Sequence, residues 1–222
     1  AIIMDGNGRW ASQRKKPRAE GHQAGVENIS KVVEIMIKKE IKFLTLFAFS
    51  TENWTRPFKE VEFLTGQLLA KSITSNIEKL NNAGVKILHL GNQDNLNNKL
   101  KSKINDGIKL TENNKNITLQ VAFDYGGRQE IIHATKKLLS SGISLEKINE
   151  KSFSEFLFTD QVPDPDLVIR TAGEFRISNF LLWQTAYSEF YSTKTFWPDF
   201  GEDEIDKAIF NYSKRERKFG NV

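Results

Sequence analysis

Phe43-Leu44-Thr45-Leu46-Phe47-Ala48-Phe49 is apolar on nearly both of its faces. A strand with one wet face alternates apolar and polar residues. A strand covered by helices on both sides reads instead as a continuous apolar run. Outward from this stretch, residues 1–4, 85–90, 117–123 and 166–170 read as further strands, the last entered through the stiff Val162-Pro163-Asp164-Pro165-Asp166. Helix-period segments lie between them. Ile29, Val32, Val33 and Met36 fall at i, i+3, i+4 and i+7. Val61, Leu64, Leu68, Leu69, Ile73, Ile77 and Leu80 predict one long helix over 58–82 that ends near Gly84. Leu96, Leu100, Ile104 and Ile108 mark another stripe, and Ile131, Ile132, Thr135, Leu138 and Leu139 a fourth. A last helix is predicted over 202–218, with Lys and Arg in its final turns and a stop at Gly220. Strand–helix alternation of this kind predicts an α/β fold: one domain over 1–222, its mostly parallel central sheet flanked by helices.

The 222 residues are 39% hydrophobic and include 16 Phe, enough for one sizeable core. Cysteine is absent, which excludes a disulfide scaffold and Cys-based zinc sites and fits a cytoplasmic protein. Three His do not make a His-rich metal centre. The net charge of +4 favours acidic ligands as a class: phosphates, nucleic acid or anionic lipid. The opening Ala1-Ile2-Ile3-Met4 is too short for a signal-peptide core, and no apolar run is long enough to span a membrane. The chain opens within a strand, so native residues are expected to precede Ala1.

In open α/β sheets ligands bind beyond the carboxyl ends of the strands. Four polar clusters follow predicted strand ends: residues 5–10, 50–57, 124–128 and 170–179. They bring Arg9, Arg56, Arg128, Arg170 and Arg176 together with glycines and hydroxyls. Such convergence predicts an electropositive pocket large enough for two phosphate-bearing ligands. Met4-Asp5-Gly6-Asn7-Gly8-Arg9-Trp10 carries a hard oxygen ligand suited to Mg²⁺, glycines that let amides approach an anion, and a fork-shaped phosphate donor. Taken alone, Asp5-Gly6-Asn7-Gly8 also reads as a plain strand-to-helix turn. Neither a complete G-x-G-x-x-G nor a P-loop is present.

The motifs as a set are more specific. They are residues 3–11, 21–25, 49–57, 125–128 and 166–171, followed by Arg176-Ile177-Ser178-Asn179-Phe180-Leu181-Leu182-Trp183-Gln184, Tyr187-Ser188-Glu189 and Phe196-Trp197-Pro198-Asp199-Phe200. In this order, over the whole chain, they resemble the cis-prenyltransferases, and bacterial undecaprenyl diphosphate synthases in particular. The resemblance implies Mg²⁺-dependent condensation of an allylic diphosphate, typically farnesyl diphosphate, with successive isopentenyl diphosphates. The expected product is undecaprenyl diphosphate, a cell-wall lipid carrier. It places the allylic diphosphate on Gly6, Asn7, Gly8, Arg9 and Trp10 with Arg18, and isopentenyl diphosphate on Arg170, Arg176 and Ser178. Asp5 and Glu189 are the implied metal ligands, Glu189 in some relatives from across a dimer. His22, Ser50, Thr51, Glu52, Trp54 and Arg56 match substrate-handling or lid positions. Asp5 and Asn53 are the implied catalytic positions. An amide is a poor base, so Asn53 is read as a positioning group, and a diphosphate oxygen is as good a proton acceptor. An apolar tunnel between sheet and helices is expected, walled by residues 58–82, 43–49 and 117–123. The resemblance also implies a homodimer and peripheral membrane contact for product release.

The chain departs from the family pattern at three places. Phe175 replaces a His that serves as a metal contact elsewhere. Lys218-Phe219-Gly220 replaces Arg-x-Gly. Gly66 interrupts the long helix, at a cost of roughly 1 kcal/mol relative to Ala. The competing readings are a short- or medium-chain synthase, a non-catalytic partner subunit and a nucleic-acid-binding module. The intact Asp5 and glycines argue against the partner subunit. The absence of a basic stripe with stacked aromatics argues against nucleic acid.

Overall fold

The computed structural model describes residues 1–215, and over 67–75 the backbone alone. Six strands form one sheet: β1 (Ile2–Ile3), β2 (Phe43–Ser50), β3 (Val85–Leu90), β4 (Ile117–Tyr125), β5 (Leu167–Arg170) and β6 (Glu189–Ser192). Their order is β3-β4-β2-β1-β5-β6, and every pair is parallel. The mostly parallel sheet expected from the sequence is thus parallel throughout. Strands β1 to β5 were all legible as apolar runs; β6 was not predicted.

Alternate residues on each strand serve two cores, as the pleat requires. Ile2, Leu44, Leu46, Leu119 and Ile169 pack on one face with Val32, Val33 and Met36 of α2 (Arg18–Lys38) and Ile205 of α8 (Glu202–Ser213). Ile3, Ala122, Tyr125 and Val168 pack on the other face with Phe180 and Leu181. The remaining helices are α1 (Asn7–Gln13), α3 (Phe58–Glu62), α4 (Leu69–Asn82), α5 (Asn98–Thr111), α6 (Gly127–Ser140) and α7 (Glu150–Ser154).

The single long helix predicted over 58–82 is divided. A π-helical turn over Phe63–Leu68 separates α3 from α4, and Gly66 lies inside it with open space where a side chain would be. Such turns mark a widened, interrupted helical ladder, often at functional sites. The C-terminal helix ends at Ser213. The predicted continuation to 218 is not followed at Lys214 and Arg215, which leave the helix; the remainder of it, and the Lys218-Phe219-Gly220 departure, lie outside the described residues.

Counting outward from β1, the chain builds β2, β4 and β3 on one side and β5 and β6 on the other. The β1/β5 seam is therefore the switch point of the sheet, where ligand crevices form in open α/β folds.

Candidate active site

Asp5 lies just beyond β1, and its backbone is stitched to the start of the loop after β5. Its N–H donates to Thr171 Oγ1 at 2.8 Å, and the Thr171 hydroxyl donates back to the Asp5 carbonyl at 2.7 Å. The carboxylate is bracketed by two guanidiniums: Oδ1 accepts from Arg9 Nη2 at 3.2 Å and Oδ2 from Arg170 Nη2 at 2.9 Å. Burial pushes the Asp5 carboxyl up, but the hydrogen bonds and charges of Arg170 and Arg9 together outweigh it and hold the group below its usual range. The carboxylate is ionised at neutral pH.

Arg170 is only 5% exposed. Its Nη1 donates to the Arg176 carbonyl at 2.6 Å and to Ser178 Oγ at 2.7 Å, while its buried Nε has no partner. The loop that supplies these acceptors is unusually wound, with positive φ at Ala172, Ser178, Asn179 and Leu181. Such conformations are uncommon outside glycine and cluster at functional sites. Arg9 also donates to the Ala172 carbonyl at 3.1 Å and pairs with Glu174 at 3.3 Å; Glu174 in turn holds Arg176 at 2.5 Å. Gly6 turns the chain into α1 with φ 104°, and a Cβ there would stand 2.6 Å from Phe196 and 2.9 Å from Ala172. The side chain of Asn7 lies against Gly25, whose substitution by any larger residue would bring a Cβ within 2.5 Å of Oδ1.

A second charged group lies beside the first. The Arg18 guanidinium rests on Gly8, where a Cβ would meet Nε at 3.4 Å. One oxygen of Glu60 receives both Arg18 Nε at 3.2 Å and Arg56 Nη1 at 3.0 Å, with His22 Nε2 at 3.7 Å, beyond hydrogen-bond reach. Burial lowers the His22 pKa to about 4; the charges of Arg18 and Arg56 act in the same direction and Glu60 opposes them. His22 is neutral at pH 7, with a buried, unpartnered Nε2.

Residues 50–56 cap this region as a 3₁₀ turn over Thr51–Thr55. The Asn53 carboxamide oxygen accepts from the Ser50 N–H at 3.1 Å. Glu52 accepts from Asn179 at 2.7 Å and from Thr51 at 3.3 Å. The Trp54 indole donates to Asp124 at 2.6 Å.

Two expected residues are placed elsewhere. The Trp10 indole donates to Asp199 at 2.7 Å, and Arg14 stacks on its ring at 4.3 Å, in a surface cluster of its own. Glu189 lies at the opposite end of β6 from the site: it pairs with Leu167, three residues before Arg170, and forms an ion pair with Arg215. At about 3.3 Å per residue this sets it roughly 10 Å from the carboxyl edge. The expected pairing of Asp5 with Glu189 in one metal site is therefore not formed within this chain. Phe175 is 76% exposed and packs edge-on against Phe190. Glu60, Asp124 and Thr171 were not predicted as site residues. The i, i+4 spacing of Arg56 and Glu60 was the available signal for one of them.

Among the described residues no group of three His, Cys, Asp or Glu side chains could hold a metal ion. A lone ionised carboxylate does fit magnesium that arrives on a diphosphate, because Mg²⁺ takes one or two protein carboxylates and fills its octahedron with phosphate oxygens and water.

An apolar passage leads away from this chemistry. A cavity of about 100 Å³ is lined by Asn7 and His22 at its polar end, then by Phe49, Leu64 and Trp197. It shares Val26, Ile29, Val121 and Phe123 with a second cavity of about 110 Å³ that reaches Ile77, Leu80 and Ile104. The passage runs between the sheet and the helices α2, α4 and α5. Residues of α2, α5 and β3 are thus walls the sequence did not announce.

Met4 and Asn7 flank Asp5 in the chain and both line the first cavity, so the charged cluster borders apolar space, an arrangement suited to an anionic head with a hydrocarbon tail, the form of a prenyltransferase substrate. The sequence matches the prenyltransferase family described as undecaprenyl diphosphate synthase over residues 3–220, and the chain belongs to that family. It is 50% identical over 222 residues to an isoprenyl transferase of Aquifex aeolicus, covering 100% of this chain and 95% of that one. It is 44% identical to the farnesyl-diphosphate-specific ditrans,polycis-undecaprenyl-diphosphate synthase of Legionella pneumophila, covering 100% and 94%. Among solved structures, lavandulyl diphosphate synthase of Lavandula x intermedia with dimethylallyl diphosphate superposes with a TM-score of 0.95 at 34% identity, covering 99% of this chain and 96% of that one. A Campylobacter jejuni protein described as a probable undecaprenyl diphosphate synthase gives 0.84 at 32% identity with the same coverage.

Proposed function

We infer that this chain elongates an allylic diphosphate, farnesyl diphosphate, with successive isopentenyl diphosphates to undecaprenyl diphosphate. The observation that carries this reading is the Asp5 carboxylate, set between Arg9 and Arg170, with its chain neighbours Met4 and Asn7 lining the apolar cavity. In this reading the allylic diphosphate binds over Gly6 to Arg9 with Arg18, and its hydrocarbon enters the cavity beyond Asn7 and His22. Isopentenyl diphosphate binds on the side of Arg170, Arg176 and Ser178, so that its double bond faces the allylic C1. The C1–O bond breaks, the new C–C bond forms and a proton leaves to a diphosphate oxygen. Arg9 and Arg18 meet the negative charge that develops on the departing group. Residues 50–56 exclude water from the cation-like carbon. Bound magnesium, held by Asp5, would neutralise the leaving diphosphate. His22 is neutral and acts as a hydrogen-bonding group rather than a cation. Asn53 positions the turn through Ser50.

The test is incorporation of labelled isopentenyl diphosphate into a butanol-extractable product, with farnesyl diphosphate and Mg²⁺ and a parallel reaction in EDTA. No incorporation in the presence of Mg²⁺ sinks the reading. A second reading, a short-chain product, is favoured by the TM-score of 0.95 to lavandulyl diphosphate synthase. Reverse-phase sizing of the product separates the two.

We also propose a homodimer and peripheral membrane contact in the cytoplasm. The open outer edge of β6 and the exposed Ile132 and Leu139 on α6 support the dimer. No helix among the described residues is long and apolar enough to cross a membrane, which accords with contact from the surface.

A further inference from the structure

We propose that Asp124 is a positioning residue for the transfer reaction: it fixes the 50–56 turn over the site by holding the indole of Trp54. The proposal rests on the prenyl-transfer reading above. It starts from the sheet. Phe47 pairs with Ala122, Phe49 with Phe123 and Ser50 with Tyr125. Two register shifts within four residues leave Ala48 on β2 and Asp124 on β4 without partners. Bulges of this kind re-aim a side chain beside an active site.

Asp124 has φ 51°, and its residue is 2% exposed. Its backbone is held from below. The carbonyl accepts from the Asn92 N–H at 3.2 Å, and Gly91 lies so close that a Cβ there would stand 2.7 Å from that oxygen. Both carboxylate oxygens are then committed. Oδ1 accepts from Trp54 Nε1 at 2.6 Å and Oδ2 from Asn95 Nδ2 at 3.0 Å. A carboxylate buried in a left-handed bulge and fully hydrogen-bonded is a poor choice for a core and a good one for an anchor.

The other end of the anchor is the turn. Trp54 packs edge-on against Phe49 at 5.1 Å, and Phe49 stacks on Phe123 at 5.0 Å. Within the turn, Ser50 N–H to Asn53 Oδ1 and Arg56 N–H to the Asn53 carbonyl make residues 50–56 one unit. Fixing Trp54 therefore fixes Asn53 and Arg56 together. The Arg56 contact to Glu60 ties the turn to the adjoining α3 and, through Arg18 on the same oxygen, to the start of α2. The Glu52–Asn179 bond ties it to the loop after β5, and the Trp54–Asp124 bond ties it to the sheet.

Trp54 needs an acceptor, not a charge. Asp124→Asn should preserve the bond, with Asn95 turning its carboxamide oxygen toward the new NH₂. Asp124→Ala abolishes it. The test is steady-state kinetics with farnesyl and isopentenyl diphosphates on Asp124→Ala, Asp124→Asn, Trp54→Phe and the Asp124→Ala/Trp54→Phe double variant, with hydrogen exchange of amides 50–56. Loss of a hydrogen bond to a charged group predicts about tenfold lower kcat/KM in Asp124→Ala, faster exchange over 50–56, and values within about threefold of wild type in Asp124→Asn. In the double variant Asp124→Ala adds nothing to Trp54→Phe. Wild-type constants in Asp124→Ala, equal impairment in Asp124→Asn, or losses that multiply in the double variant each overturn the proposal. If Asp124→Ala does not fold, Trp54→Phe, which removes the indole N–H together with the five-membered ring, must show faster exchange over 50–56 and a loss at least as large; wild-type constants there overturn it. A wild-type chain that elongates nothing refutes the functional reading instead, and exchange over 50–56 then decides the anchor by itself.

Discussion

Replacing Asp5 separates the two jobs its carboxylate performs. One is structural: Oδ2 is the acceptor for Arg170 Nη2 at 2.9 Å, and the Arg170 side chain is 6% exposed against 28% for Asp5. Asp5→Ala leaves that guanidinium short of an acceptor, with Nε already unpartnered. A fully buried pair broken in this way costs about 3–5 kcal/mol, and the partial exposure of Asp5 reduces this to roughly 1–3 kcal/mol. For a chain of this size that is a fall in Tm of about 2–10 °C. The other job is electrostatic, toward the metal and the leaving diphosphate. Removing one such preorganised group costs about 10²–10³ in kcat. Asp5→Asn comes close to isolating the second job: its carbonyl oxygen still accepts from the buried Arg170, only the more exposed Arg9 loses its acceptor, and the anionic charge that the metal needs is gone. The assay is thermal unfolding alongside isopentenyl diphosphate incorporation for both variants. The expected result is an Asp5→Asn protein with nearly wild-type Tm and activity at least about a hundredfold lower, and an Asp5→Ala protein low in both. Asp5→Asn activity within about tenfold of wild type would refute the reasoning.

Three further outcomes follow from the same geometry. His22 has a folded pKa of about 4 against an ordinary 6.5, so the unfolded chain binds its proton first as pH falls. Its contribution is complete above pH 6.5 and is lost toward pH 4. The unfolding free energy from urea titrations should therefore fall between pH 7 and 4.5 by up to roughly 2–3 kcal/mol more in wild type than in His22→Gln, and equal falls would disprove the neutral, buried imidazole. Glu60→Gln removes the internal carboxylate that competes with substrate for Arg18 and Arg56; the KM for farnesyl diphosphate should drop several-fold, and a rise would show that Glu60 orients those arginines instead. Ile29 lines both cavities, so Ile29→Trp should block the passage and shorten the product on reverse-phase chromatography, with unchanged length as the contrary result.

Leu44 to Phe47 announced the covered middle of a strand because its two sides meet different cores, Leu44 and Leu46 on one and Phe47 on the other, while Phe43 at the strand's start is 43% exposed. β6 was illegible for the opposite reason: Glu189-Phe190-Tyr191-Ser192 is four residues long, half-buried throughout, and paired along one edge only. The division of the 58–82 helix was foreshadowed by Gly66, but a glycine does not reveal that the backbone widens into a π turn. In the site, Asp5, Arg9, Arg170 and Ser178 were readable because each ends or follows a strand, and parallel strands bring their ends together. Glu60 and Asp124 were not, since a carboxylate on a short helix or in a bulge resembles any solvated acid until its partners are seen. Glu189 lies at the other end of β6 from Asp5, and sequence order carries no information about which end of a strand a residue occupies.

The β1/β5 seam also has a consequence for the birth of the protein. Strand β1 is two residues long, and its partners lie about β2 and, 167 residues further on, at Ile169 and Arg170. At about 5–20 residues per second a ribosome needs roughly 10–30 s to deliver that second partner. Until then Asp5 and Arg9 exist without Arg170 and Thr171, and the nascent chain has half a cradle. Because β1 lies in the middle of the finished sheet, the pairing that joins Asp5 and Arg9 to Arg170 waits until β5 has been made.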